Sequence, residues 1–368
     1  MLALAVAGAG GCGDLVEDTI WEDAQDSLRY SDKRADPDFL QRELQSRPGN
    51  RTLQEMLVGH YARRDRGSSR LPDLLLRLVE SHPNETSISL LTSEVFYEQP
   101  ELRAEVVAAL RRKVHEVPPS SDLHWNLASI LAQAALPPAY ADGTAMETDR
   151  VVEWYGLAST DGVPLETDWA VAAEAEEHYR AALEVAGETP QWRGAMSSSY
   201  ARGLARLLIG LGLPDEARWV LADTIEIAEP MFRGDLELQL AELHVDQGEL
   251  AEAETLARAA IHDDCEWYQK GHVTTEAYTL LGDLALERGR VDEAERMLLA
   301  SATVALPCPH TRSLGMPYAL ADALVERGRL EVPARYYRLV LEEFTPGRAE
   351  VQQRLARIAE LQAAQECP

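Results

Sequence analysis

Three glycines in the last third of the chain, Gly248, Gly289 and Gly328, stand 41 and 39 residues apart, and the same pattern surrounds each. Leu240-Ala241, Leu281-Gly282 and Leu320-Ala321 precede them; Ala253, Ala294 and Pro333 follow, with Ala260, Ser301 and Val340 further on. A Leu–small pair, then a glycine, then a small residue reads as helix, tight turn and second helix. A two-helix unit cannot bury its apolar face alone, so a period of about 40 residues requires that neighbouring units stack. Residues 234–346 are thereby held to a stacked helical array.

Composition agrees. Aromatic residues make up 6% of the 368, while hydrophobic residues reach 46% and are dominated by Ala and Leu, which favours helix over sheet. The net charge of −27 argues against nucleic acid as a partner and against a polybasic membrane contact. Lysine occurs only at 33, 113 and 270, so arginine supplies nearly all the positive charge. No run of about 18 apolar residues is present, which leaves no transmembrane helix.

The repeated unit resembles the tetratricopeptide repeat (TPR) family, in which helix A carries Leu-Gly, helix B an Ala, and a Pro closes the unit. The resemblance implies an all-α, right-handed superhelix of about seven helix pairs that binds proteins and has no reaction of its own. Ala205, Ala241, Gly282 and Ala321 are then the small residues that let helix B lie close against helix A, with Ala217, Ala253 and Ala294 doing the same from the other side. Pro333 replaces that Ala in the last repeat, where the first turn of a helix tolerates its missing N–H.

Taken in order, residues 37–47 open a helix broken by Pro48, Gly49 and Asn50. Two degenerate pairs follow, 51–64 with 71–82 and 87–98 with 100–116, closed by Pro83 and Pro118; residues 37–118 form this degenerate region. TPR-like repeats occupy 119–346. Residues 121–135 read as a helix A whose helix B appears only at 169–186, after an insertion at 136–168 that carries two Asp-Gly turns. The next pair is 196–211 with 214–228, carrying Leu204-Ala205, Gly212 and Ala217. Residues 347–368 hold a capping helix, 348–365, and a tail. Its Val351, Leu355, Ile358 and Leu361 share one side.

The N-terminus differs in kind. Met1 to Gly11 is small and apolar, and Ala9-Gly10-Gly11-Cys12 resembles the end of a bacterial lipoprotein signal peptide, whose Cys is lipidated. It departs from that family in two places: Ala9 stands where Leu is usual, and no basic stretch precedes the run. The resemblance implies a remnant at 1–12, a lipid on Cys12, an acidic tether at 13–36 and a place in the bacterial envelope, membrane-bound through the lipid alone. The competing expectation is a cytosolic adaptor with a loose apolar N-terminus.

No metalloprotease, phosphate-loop, nucleophile-elbow, dinucleotide or EF-hand signature is present, which leaves no catalytic set and no cofactor to expect and no metal site with a known motif. His262, Cys265, Cys308 and His310 close successive repeats and would meet at one edge. A Cys265–Cys308 disulfide, free or differently paired thiols with Cys367 as another partner, and a metal site all remain open. The acids of the insertion match no calcium loop and read as a solvated surface.

In TPR superhelices helix A lines the concave groove. On the three C-terminal A helices the groove positions four apart are Glu242 with Asp246, Asp283 with Glu287, and Asp322 with Glu326. All six are acidic, whereas Arg202 and Arg206 stand on the preceding A helix. Either the six are solvated charges, or they form a groove that steers a basic segment of a protein partner and rejects acidic tails. The expected function is a protein-binding scaffold or assembly factor.

Overall fold

The computed structural model describes residues 37–135 apart from 66, 85–94 and 97, then 168–188, 195–261, 270–305, 318–343 and 348–366. Among the described residues it holds fifteen helices and no strand. The chain divides into two compact units, Met1–Gln133 and Ala134–Pro368.

The first unit contains α1 (Pro37–Ser46), α2 (Arg51–Arg64), α3 (Arg70–Ser81), α4 (Pro100–Glu116) and all but the last two residues of α5 (Ser121–Ala135). The Pro48-Gly49-Asn50 break works through a cap: Asn50 Oδ1 accepts the Leu53 N–H at 2.9 Å, satisfying one of the orphan donors that open α2. The helices pack in sequence, α1 on α2, α2 on α3 and α3 on α4. Leu40, Leu53, Leu57, Leu71, Leu75, Leu78, Val106 and Leu110 are fully buried between them. Glu80 of α3 ties to Arg112 at 2.7 Å and Lys113 at 3.0 Å, both on α4.

The second unit runs through α6 (Trp169–Glu188), α7 (Ala195–Gly210), α8 (Pro214–Ile227), α9 (Pro230–Asp246), α10 (Leu250–Ala259), α11 (Lys270–Glu287), α12 (Val291–Ala305), α13 (Ala319–Glu326), α14 (Glu331–Glu343) and α15 (Arg348–Glu366). Its turns are built identically. Gly212, Gly248, Gly289 and Gly328 have φ between 71° and 77° and are the only positive-φ residues described. The N–H of each donates to the carbonyl three residues back, and the following N–H reaches five residues back, as in Leu213 to Leu208 at 2.8 Å and Arg290 to Ala285 at 2.8 Å. This double closure needs a left-handed residue after the helix, which is why glycine marks the period.

The hairpins stack in order. The A helices α7, α9, α11 and α13 are successive neighbours, and each of the B helices α8, α10 and α12 packs on its own A helix and on the next. One of the small residues, Gly282, has a different role from the one the repeat pattern suggests. A Cβ on Gly282 would lie 2.3 Å from Leu320 Cδ2, so that glycine admits the A helix of the following repeat, with no atom of its own helix B among its nearest neighbours. Ala241 meets both, clustering with Ala257 of its helix B and Leu281 of the next helix A. Gly203, which the pattern did not single out, makes room for Tyr179 of the preceding α6, 2.5 Å from where its Cβ would stand.

Pro333 does fall in the first turn of α14. Ala217, Ala253 and Ala294 each donate their N–H to the carbonyl four residues back; proline cannot, and α14 begins at Glu331, one residue later than its counterparts in register.

Candidate functional site

Six residues before each positive-φ glycine stands one side chain of the A-helix face: Arg206, Glu242, Asp283 and Asp322. The shared turn geometry places them in equivalent positions on successive helices, yet their surroundings differ.

At Asp322 the carboxylate is fully engaged. Tyr337 Oη donates to Oδ1 at 2.6 Å, and Arg354 Nε of α15 reaches Oδ2 at 3.0 Å and Oδ1 at 3.3 Å. Glu350 holds the other end of the guanidinium, which lies 4.6 Å from the centre of the Tyr318 ring. This acid is a structural anchor.

At Asp283 no described donor is bonded to the carboxylate, which stays half-buried. Burial first, and Glu287 second, push its carboxyl up to about 7, with Arg327 opposing. Glu287 and Glu326 are exposed.

Glu242 keeps part of its surface open, but its Oε2 is shut off from solvent and accepts no hydrogen bond. Burial and then Glu276 of α11 drive this carboxyl well above the usual carboxylate range; Arg202 and Arg206 of α7 pull it back, and Asp246 adds to the rise. Asp246 itself is exposed, and its carboxyl is raised by partial burial. The two arginines are no mere break in the acidic series: Arg202 pairs with Asp235 at 3.0 Å and shares with Arg206 the field around Glu242. Elsewhere on α9, Glu237 and Gln239 are buried, and Glu237 Oε2 and both amide atoms of Gln239 lack hydrogen bonds.

The turns on the other edge are treated oppositely. Glu254 of α10 is bonded by Arg258 and by Arg288, with Arg290 at 3.3 Å, and these arginines, Arg258 foremost, hold its carboxyl down at about 2. Arg329 binds Glu295 at 2.7 Å and Asp292 at 2.8 Å; Arg218 reaches Glu249 at 3.3 Å, and His244 Nδ1 lies 2.5 Å from the same carboxylate. Arginine is thus concentrated on bonds between consecutive hairpins at their turns. Glu242 Oε2 on α9 and the Asp283 carboxylate on α11 receive none of those bonds.

Cys12, Cys265, Cys308 and Cys367, with His262 and His310, lie outside the described residues, as do the acids of the insertion up to Glu166. Asp168 at its far end is described. Its side chain caps α6 through the N–H groups of Ala170 at 3.1 Å and Val171 at 3.2 Å, and its own N–H donates to the Ala135 carbonyl at 3.0 Å. No group of three or more His, Cys, Asp or Glu that could hold a metal occurs among the described residues, and no described helix is long and apolar enough to cross a membrane.

Sequence reasoning missed Arg354 and Glu276. Arg354 carried a signal, since it stands three residues after Val351 and four before Ile358, within the apolar stripe of the capping helix. A charge on a buried stripe is either an error of register or a partner for a buried carboxylate. Glu276 carried no such sign, because its role depends on which helix lies beside α9.

The tetratricopeptide repeat family matches the chain over residues 238–307, the stretch from α9 through α12. No curated protein matches the chain.

Proposed function

We propose that this chain is a scaffold whose C-terminal A-helix face takes a basic segment of a protein partner, held at the bacterial envelope by a lipid on Cys12. The coarse part follows from the fold: an all-α array similar to tetratricopeptide repeats presents an extended surface for protein partners. The observation that supports a basic partner is the contrast between the two edges. Glu254, Glu293 and Glu295 at the turns are bonded by the chain's own arginines, whereas Glu242 and Asp283 carry raised carboxyls that a cation would satisfy. The small-residue run ending at Cys12 supports the anchor.

The partner reading is tested by pull-down from the source cell. Asp246→Asn, Asp283→Asn and Glu287→Gln together should reduce recovery of the native partner, and recovery by the wild type should fall as salt rises. Asp322 is left intact because it anchors Arg354. Recovery indifferent to both assigns the acids to solubility. The anchor is tested by fractionation with mass analysis of the N-terminal peptide. A soluble cytoplasmic protein with Met1 intact makes this a cytosolic adaptor.

A further inference from the structure

Four large apolar side chains are exposed among the described residues, and two of them, Trp219 at 64% and Ile227 at 55%, lie on α8. A single exposed apolar residue is ordinary, but two on one helix face make a patch. α8 turns Ala217, Val220, Leu221 and Thr224 inward, and it packs on α7 and α9. Its opposite face carries Trp219 at the centre, with Glu216 one turn before it and Asp223 one turn after, then Glu226 and Ile227, all exposed. Seven residues after the other three turn glycines, where Trp219 stands after Gly212, the chain has Thr255, Arg296 and Arg335, exposed as well. Stacking of the hairpins therefore asks for no apolar side chain at this position, and α8 places an indole there.

We propose that the outer face of α8 docks a basic segment of a protein partner, with an arginine laid on the Trp219 indole and an aliphatic residue against Ile227. The charges around the indole select this occupant. Glu216, Asp223 and Glu226 have no ion pair or hydrogen bond with a described residue, and Arg218, next to Trp219, is drawn to Glu249 at 3.3 Å and Asp215 at 3.7 Å. A cation for this face thus comes from outside. Indole is the ring that attracts a cation most strongly, and a guanidinium can stack flat on it while its N–H groups point outward to the carboxylates one turn away. A second copy of the chain would set acids against acids in a protein of net charge −27, and an anionic lipid surface would meet the same repulsion. This surface lies on a helix B and rests on other residues than the A-helix face, so either reading can fail alone.

The test labels the full chain with 5-fluorotryptophan and follows the Trp219 fluorine resonance, identified by its loss in Trp219→Phe. Two capped synthetic peptides are titrated in, one alternating alanine with arginine, the other alanine with citrulline, which is isosteric and uncharged. The arginine peptide should shift the Trp219 resonance and leave that of Trp169, equally exposed at the start of α6, in place. The citrulline peptide should act about tenfold or more weaker. Asp223→Asn with Glu226→Gln should weaken the arginine response about tenfold. Glu252→Gln with Glu360→Gln, which removes the same charge from exposed sites on α10 and α15, should stay within about twofold. Asp246→Asn, Asp283→Asn and Glu287→Gln together should also leave the response within about twofold. A Trp219 resonance indifferent to the arginine peptide, an equal response to both peptides, or equal weakening by the two acid pairs overturns the proposal and leaves the A-helix reading standing. A response lost in the A-helix triple variant assigns the binding to that face and overturns the proposal too. A resonance that moves with the chain's own concentration, before any peptide is added, makes the occupant a second copy and overturns it likewise.

Discussion

Arg354 Nε donates to both oxygens of Asp322, at 3.0 and 3.3 Å, and joins the terminal helix α15 to the last helix A of the array. The link matters because α15 brings little apolar surface: Val351 and Ile358 are buried, but Leu361 is 38% exposed. A helix that ends an array needs a polar back, and a charged contact on its inner side compensates for the narrow apolar stripe.

Arg354→Met keeps the aliphatic stem and removes the donor. It should destabilise the array's end by about 1.5–3 kcal/mol, the range for hydrogen bonds to charged groups. Hydrogen exchange should speed up over residues 331–366 and stay unchanged in α7 and α8. Uniform acceleration across the second unit would mean that α15 is no separate cap.

Gly282 and Leu320 are expected to be coupled. Gly282→Ala should destabilise by about 1–3 kcal/mol through overpacking, even though alanine is the better helix former. The added Cβ falls 2.3 Å from Leu320 Cδ2, on a side chain with no exposed surface. Gly282→Ala with Leu320→Ala should cost less than the sum of the two, measured by denaturant unfolding. Additive costs would place the clash elsewhere.

Gly289→Ala separates backbone from packing. Nothing lies within 4 Å of its Cβ position, but its φ is +71°. The cost should be about 1–2 kcal/mol from the left-handed backbone alone, and no substitution nearby should rescue it. A Leu320 truncation that relieved Gly282→Ala should leave this variant unchanged.

Asp283 predicts a pH slope. Its carboxyl rises from 3.8 to about 7 on folding, with burial the first cause. Between those values the folded chain holds a proton that the unfolded chain has lost, so stability from this group falls as pH rises through about 4 to 7 and is flat beyond. Asp283→Asn should stabilise at pH 8 by on the order of 1–2 kcal/mol, after discounting for partial exposure, and should be neutral near pH 3. Thermal melts at both values decide it. A variant equally stabilised at both acts through something other than this proton.

The helices of the array were legible in the sequence because a single residue type solves their turns. Gly212, Gly248, Gly289 and Gly328 all need a left-handed backbone, and the fixed spacing to Leu204, Leu240, Leu281 and Leu320 follows from it. The acidic register was legible for the same reason. Which of those acids carry charge was not, because that depends on neighbours from other helices: Arg354 at Asp322, Glu276 at Glu242 and burial at Asp283. Gly282 shows the same limit within packing. Its small size was readable, but its partner, Leu320 of the next repeat rather than its own helix B, was not.

The hydrogen bond from the Asp168 N–H to the Ala135 carbonyl has a consequence of its own. The chain leaves and re-enters the helical frame at one point, so the two ends are clasped to each other by the backbone. A tag or a second loop spliced in between Ala135 and Asp168 that keeps this clasp is expected to leave the phase of the hairpins that follow unshifted.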